Sequence, residues 1–303
     1  MIVTNSFSGY KGKLGALALG MFDGVHLGHA AILDKAVNVS RAKKLLSAAM
    51  TFRPHPMEYF GKEVPLLSGP EHSRKLLHDR GIDVIIEHPF TSVVSEMSPN
   101  EFVEYLAEML SPLDLIAGFN YSFGRRGRGE LSDLKRLGEG FGIYVHGVGP
   151  VLLDGNVVSS TRIRGMIELG LLDDAKRLLG HGFTLEGVVV HGDGRGSKLG
   201  FPTANIRFGY RPVLPPFGVY LVRSAQIGFG VANLGLRPTF LLDKPQLEIF
   251  FLNQPTESLY DKSLEVELIQ YIRPEMSFSS ADQLVSRVAE DIAAARQLIS
   301  RFS

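Results

Sequence analysis

The chain has 303 residues, 45% of them hydrophobic and 21% charged, which allows two domains with separate cores and excludes a disordered chain. Its 32 basic and 32 acidic side chains cancel, so no global field draws it to nucleic acid, and any polyanion site must be a local cluster. Cysteine is absent, which excludes disulfides, thiolate metal sites and thiol nucleophiles.

Residues 1–15 hold no apolar leader, and no stretch approaches the ~20 apolar residues of a membrane span, so a cytoplasmic enzyme acting on small molecules, with no membrane or nucleic-acid partner, is expected. Leu14–Leu19 reads as a buried parallel strand. Residues 30–46 carry Ile32, Leu33, Ala36, Val37 and Leu45 at helical spacing. Between them runs Gly20-Met21-Phe22-Asp23-Gly24-Val25-His26-Leu27-Gly28-His29, a glycine-rich strand-to-helix turn that closes on two imidazoles. Such a turn lets backbone N–H groups approach an anion, and the two rings can donate to phosphate oxygens; it outlines a triphosphate site. Ordinary turn histidines would read the same way.

Further apolar runs at 47–52, 82–86, 113–118 and 143–148 alternate with helical segments, the pattern of a doubly wound parallel α/β sheet. Thr51 to Pro56 ends one strand in a stiff loop, with Phe52, Arg53 and His55 set among prolines. The capping box Ser98-Pro99-Asn100-Glu101 opens a helix carrying Phe102, Val103, Leu106 and Leu110. Residues 118–129 interleave Phe119, Tyr121 and Phe123 with Arg125, Arg126 and Arg128, a cluster for an aromatic phosphate; single-stranded nucleic acid suits it less on a neutral protein. Asp154-Gly155-Asn156 is a turn. Ser159-Ser160-Thr161 with Arg162 and Arg164 reads as a phosphate-binding helix start or a plain cap. The helical pattern then breaks near Gly170 and stops at Gly180.

Past residue 181 the pattern changes to short runs at 183–191, 217–224, 228–234, 246–252 and 263–271, which predict a small closed antiparallel β-barrel. Residues 191–205 hold Gly192, Gly194, Gly196 and Gly200 around Arg195 and Lys198, a candidate phosphate flap without the Walker spacing. Thr203 and Asn205 place a hydroxyl and an amide on one face of an extended segment, oxygen ligands that suit Mg²⁺ with ATP phosphates. Glu248 stands alone in an apolar strand. Ser280-Ala281-Asp282-Gln283 caps a last helix whose stripe, Leu284, Val285, Val288, Ala289, Ile292 and Ile299, is read as core packing against the barrel with no chemistry.

The histidine turn, Thr51 to Pro56, residues 118–124, Ser159 to Arg164, Gly200-Phe201-Pro202-Thr203-Ala204-Asn205 and Arg237-Pro238-Thr239-Phe240, in that order, resemble the blocks of bacterial bifunctional riboflavin kinase/FMN adenylyltransferases (FAD synthetases) over nearly the whole chain. The resemblance implies an FMN adenylyltransferase domain over 1–180 and a riboflavin kinase domain over 181–303, with ATP, Mg²⁺, riboflavin and FMN as their small molecules. It implies that His26, His29 and Arg162 serve adenylyl transfer, and that Glu248 accepts the proton of the riboflavin hydroxyl. Nucleotide contacts are implied for Gly20, Phe22, Asp23, Gly24, Ser159, Ser160, Thr161 and Arg164, and in the kinase for Gly192, Gly194, Arg195, Gly196 and Gly200. Flavin contacts are implied for Phe52, His55, Pro56, Asn120, Phe123 and Arg273, and metal contacts for Thr203 and Asn205. Met21, Asn120, Asn253 and Asp261 depart from the family pattern; Asp261 replaces a turn glycine. Two other readings stand beside this one: a nucleotidyltransferase for a different acceptor, and a flavin- or nucleotide-binding regulator without turnover. Weak self-association is compatible with all three.

Overall fold

The computed structural model describes residues 1–303 except 111–112, 193–195, 197–198, 238–243, 254, 256 and 301–303. It divides into two units, 1–64 with 73–160, and 65–72 with 161–303.

In chain order the first unit runs β1 (Ile2–Thr4), β2 (Leu14–Leu19), α1 (Leu27–Lys43), β3 (Leu46–Arg53), α2 (Pro56–Tyr59), α3 (Pro70–Asp79, begun in the second unit), β4 (Val84–Pro89), α4 (Ser92–Glu96), α5 (Pro99–Leu110), β5 (Asp114–Gly118), the hairpin of β6 (Ser122–Phe123) and β7 (Gly129–Glu130), α6 (Leu131–Glu139), β8 (Tyr144–Val148), and a second hairpin, β9 (Leu152–Leu153) with β10 (Asn156–Val157). Six strands form one parallel sheet in the order β1-β4-β3-β2-β5-β8. Every residue of β2 is buried because both faces of the sheet are covered. Leu17, Leu19, Met50 and Leu115 pack under Phe102, Val103 and Leu106 of α5 and Leu134 of α6. Ala16, Ala18, Ile85 and Ile116 pack under Ile32, Leu33, Ala36 and Val37 of α1. The doubly wound sheet is therefore as expected, with one addition: β1 is three largely exposed residues at the sheet edge, too short to leave an apolar run. Helix α1 starts three residues earlier than its apolar stripe, because His26 caps it, and ends where Lys44 turns left-handed at φ 56°. The strand order reverses between β2 and β5, which opens a crevice at their carboxyl ends.

The second unit contains α7 (Ser160–Glu168, its first residue in the first unit), α8 (Leu172–Leu179), β11 (Thr184–Val190), β12 (Ala204–Arg207), β13 (Gly218–Ser224), β14 (Gly228–Arg237), β15 (Lys244–Phe251), β16 (Ser263–Pro274) and α9 (Ala281–Ile299). The predicted break and stop are Gly170 at φ 76° and Gly180 at φ 79°, the second capping α8. The six strands close a barrel in the order β11-β12-β15-β14-β13-β16. Strand β12, four residues long, was foreseen only as an extended segment. Residues 65–72 form a strap on this unit. Leu66 N–H donates to Arg211 O at 2.8 Å and Val213 N–H to Leu66 O at 2.9 Å, while the buried Glu186 carboxylate accepts the N–H groups of Glu71 and His72 at 3.2 and 2.6 Å. Gly69 lies so close to Glu186 that a Cβ there would fall 2.1 Å from its carboxylate. Nothing in the sequence pattern announces this strap.

Candidate active sites

The turn after β2 is tightly wound. Phe22 (φ 50°), Gly24 (φ 75°) and Val25 (φ 36°) are all left-handed, and Thr51 Oγ1 of β3 donates to Met21 O at 3.1 Å, which fixes the backbone at position 21. Phe22 is buried and its ring meets His29 edge-on at 5.5 Å, while the His26 and His29 rings stack at 3.7 Å. His26 Nδ1 accepts the His29 N–H at 3.3 Å; its neutral ring therefore carries the proton on Nε2. A Cβ on Gly28 would approach the His26 ring to 3.1 Å. Asp23 is buried, and its carbonyl accepts Ser160 Oγ at 3.4 Å, which ties the Ser159-Ser160 segment to the turn. Thr161, Arg162 and Arg164 belong to the second unit, where Arg164 Nε donates to Pro65 O at 2.8 Å.

A cavity of 960 Å³ opens at the β2/β5 crevice. Gly20, Met21 and His29 line it together with Phe52, His55, Pro56, Asn120 and Phe123, so one triphosphate-side histidine and five of the expected flavin contacts share one wall. His26 does not line it; it stacks against the ring that does. Sequence reasoning missed Phe60 and Phe90, which join the cavity through edge-to-face contacts of Phe90 with Phe52 at 5.2 Å and of Phe60 with Phe90 at 6.0 Å. Both lie in segments with no motif, and only the tertiary fold gathers them. Behind the Thr51 to Pro56 loop, Glu87 accepts Arg53 Nε at 3.1 Å and Arg74 Nε and Nη2 at 3.0 and 2.7 Å. Burial opposes ionisation of Glu87, but hydrogen bonds and charge from Arg74 and Arg53 prevail and hold its carboxyl below the ordinary range.

The second cavity, 380 Å³, lies against the barrel wall facing α9. Strand register explains its floor. Asn205 of β12 pairs with Glu248 of β15, Glu248 with Asn233 of β14, Asn233 with Val219 of β13, and Val219 with Arg273 of β16. Directly paired residues point to one face, so these five form a row across five strands, and all of them line the cavity. Thr203, Gly192, Gly196 and Phe201 line it as well, whereas Gly200, at φ 87°, shapes the turn before Phe201 and Thr203; Gly194 and Arg195 lie outside the described residues, as does most of the Arg237 to Phe240 block. Asn205 is buried; its Nδ2 reaches Thr203 Oγ1 at 3.5 Å, and its Oδ1 accepts Gln246 Nε2 at 2.6 Å. A Cβ on Gly192 would come within 2.5 Å of the Asn205 amide, so the glycine backs directly onto this pair. The hydroxyl and amide oxygens are hard, neutral donors, which fit a divalent cation in company with phosphate oxygens. No cluster of three His, Asp or Glu side chains able to hold a metal alone occurs among the described residues.

Arg273 is committed. Its Nε and Nη2 donate to Asp291 at 2.8 to 3.1 and 2.7 Å and its Nη1 to Pro274 O at 2.8 Å, a buried fork that fastens α9 to the barrel. The stripe of α9 also differs from expectation. Ile292 and Ile299 pack with Val219, Leu221 and Val231 as read, joined by Ala295, but Leu284, Val285 and Val288 line the cavity together with the polar row. A helix half-covering a site shows the same periodicity as one covering a core.

The chain matches a family model described as FAD synthetase over residues 12–162 and one described as riboflavin kinase over residues 179–299. It is 35% identical to a bifunctional riboflavin kinase/FMN adenylyltransferase of Listeria monocytogenes, with 91% of this chain and 89% of that protein covered. The like-named protein of Escherichia coli K12 is 33% identical over 93% of this chain and 91% of its own length. A crystal structure from Streptococcus pneumoniae, described as a macrolide-efflux protein, superposes with a TM-score of 0.82 at 27% identity and covers 97% of this chain and 98% of that one. No helix among the described residues is long and apolar enough to cross a membrane.

Proposed function

This chain belongs to the bifunctional riboflavin kinase/FMN adenylyltransferase family, and from that premise we propose how its residues divide the two reactions. It phosphorylates riboflavin to FMN with ATP and adenylylates FMN to FAD with release of pyrophosphate. Adenylylation is assigned to residues 1–180 and phosphorylation to 181–303, in keeping with model matches over 12–162 and 179–299.

In adenylylation an oxygen of the FMN phosphate attacks the α-phosphorus of ATP, and the bond to the departing pyrophosphate breaks. No protein nucleophile is needed, so positioning and charge stabilisation carry the step. His29, supported by the stacked His26, donates to the phosphates as charge shifts onto the leaving group; Gly20, Asp23, Gly24, Ser159 and Ser160 frame them. Phe52, His55, Pro56, Asn120 and Phe123 hold the flavin.

In phosphorylation Glu248 takes the proton of the riboflavin hydroxyl as that oxygen attacks the γ-phosphorus and ADP leaves. The observation that carries this reading is the cross-strand row that puts Glu248 beside Asn205, within the cavity that Thr203 shares. Thr203 and Asn205 would hold Mg²⁺, which supplies screening of the transferred phosphoryl charge. A cytoplasmic location is part of this proposal.

The test is a pair of reciprocal variants. Glu248→Gln should lower FMN formation by at least about 100-fold, the usual scale for removing a general base, while added FMN is still adenylylated. His29→Ala should do the converse, FMN accumulating without FAD. Loss of both products in either variant overturns the division of labour.

A further inference from the structure

The 118–129 segment carries three arginines, and the structure gives them different tasks. Arg125 is spent on the scaffold: its Nε pairs with Glu96 at 2.9 Å and its N–H donates to Met97 O at 2.6 Å, which pins the turn to the end of α4. Arg128 lies outside the cavity lining. Arg126 lines the cavity and makes no ion pair among the described residues. Its backbone is left-handed, φ 57° and ψ 25°, in a tight turn closed by Gly127 N–H to Gly124 O at 2.9 Å. A side chain beyond glycine enters that basin only at a cost, and such outliers persist where the surroundings hold them and gather at ligand sites. The cavity wall is otherwise largely aromatic and aliphatic, with Glu96 as its carboxylate, already matched by Arg125, and Lys62 as its other full cation.

We propose that Arg126 is a specificity-determining residue for adenylylation: its guanidinium binds the phosphate monoester of the flavin acceptor, so that the first cavity takes the phosphorylated flavin and discriminates against the same ring without phosphate. The ATP phosphates have the glycine turn and the start of α1. The acceptor phosphate needs a cation on the aromatic side, and Arg126 shares its segment with Asn120, Tyr121 and Phe123 of that wall. The inference rests on the adenylylation of FMN assigned above.

The experiment uses the full-length protein, saturating Mg²⁺-ATP and varied FMN, with lumiflavin, a flavin ring that has neither ribityl chain nor phosphate, as competitive inhibitor. Arg126→Ala and Arg126→Gly should each raise KM for FMN about tenfold, the scale of one charge-assisted hydrogen bond. KM for ATP, the lumiflavin inhibition constant and riboflavin phosphorylation should stay within about twofold. Because glycine relieves the left-handed backbone, Arg126→Gly should also unfold about 2 °C above wild type, so a weakened site cannot be blamed on misfolding. An unchanged KM for FMN in both variants, a rise in KM for ATP instead, or transfer of the whole effect to Lys62→Ala overturns the assignment. Should the unaltered protein make no FAD from FMN, the adenylylation reading itself fails.

Discussion

Glu87 shows how one side chain can set the pH range of a site it does not touch. Its carboxyl is depressed by Arg74 and Arg53 against the opposing effect of burial, so the folded state binds this proton more weakly than the unfolded chain does. The stability it contributes is therefore complete above the ordinary carboxylate pKa and is lost as pH falls through the depressed value. Glu87→Gln should lower the melting temperature of the first unit at about pH 7, and the gap to wild type should close as pH falls through the depressed value. Thermal denaturation at a series of pH values reads this directly; a gap independent of pH would mean that the two arginines do not act on Glu87 as a charge. The same substitution loosens the loop that carries Phe52 and His55, so KM for FMN should rise at neutral pH.

At the level of elements, motif and periodicity delivered the scaffolds. The histidine turn, the capping box in which Ser98 N–H donates to Glu101 at 2.7 Å, and the Gly170 and Gly180 stops are local chemistry that two or three adjacent residues specify. What stayed illegible needs register or distance. Glu248 and Asn233 look like isolated polar residues in apolar strands until pairing across β14 and β15 puts them side by side. Phe60 and Phe90 meet only once β3 and β4 pair, and α9 hides its ligand-facing half within one apolar stripe. Asp261 is the converse case. The departure noted in the sequence adopts φ 62°, the left-handed conformation in which glycine is unstrained. Asp261→Gly should therefore stabilise the barrel by about 0.5–1 kcal/mol, measured by urea denaturation. Destabilisation would show that the Asp261 side chain contributes more than its backbone costs.

Over the whole molecule, each cavity draws its lining from a single unit, yet neither unit is one continuous stretch of chain. The strap at 65–72 belongs to the barrel unit, and so do α7 and α8 beyond Ser160. A fragment of residues 181–303 carries every barrel strand but gives up the strap hydrogen bonds to Arg211, Val213 and Glu186 and the buried Leu178 and Leu179 of α8. At about 1 kcal/mol for each of the four hydrogen bonds and about 2 kcal/mol per buried leucine, it should be less stable than the same unit in the full chain by roughly 8 kcal/mol. Calorimetry of fragment and full chain compares them, and equal transitions would show that the strap and α8 are passengers. The Arg273–Asp291 fork has a consequence of another kind. Since it draws the final helix over the polar row, the phosphorylating pocket is finished only when residues near 291 have left the ribosome, whereas the lining of the adenylylating cavity ends at residue 127 and the serines assigned to its phosphate side at residue 160. Translation that stops short near the 3′ end of the message would leave a protein that consumes FMN and makes none.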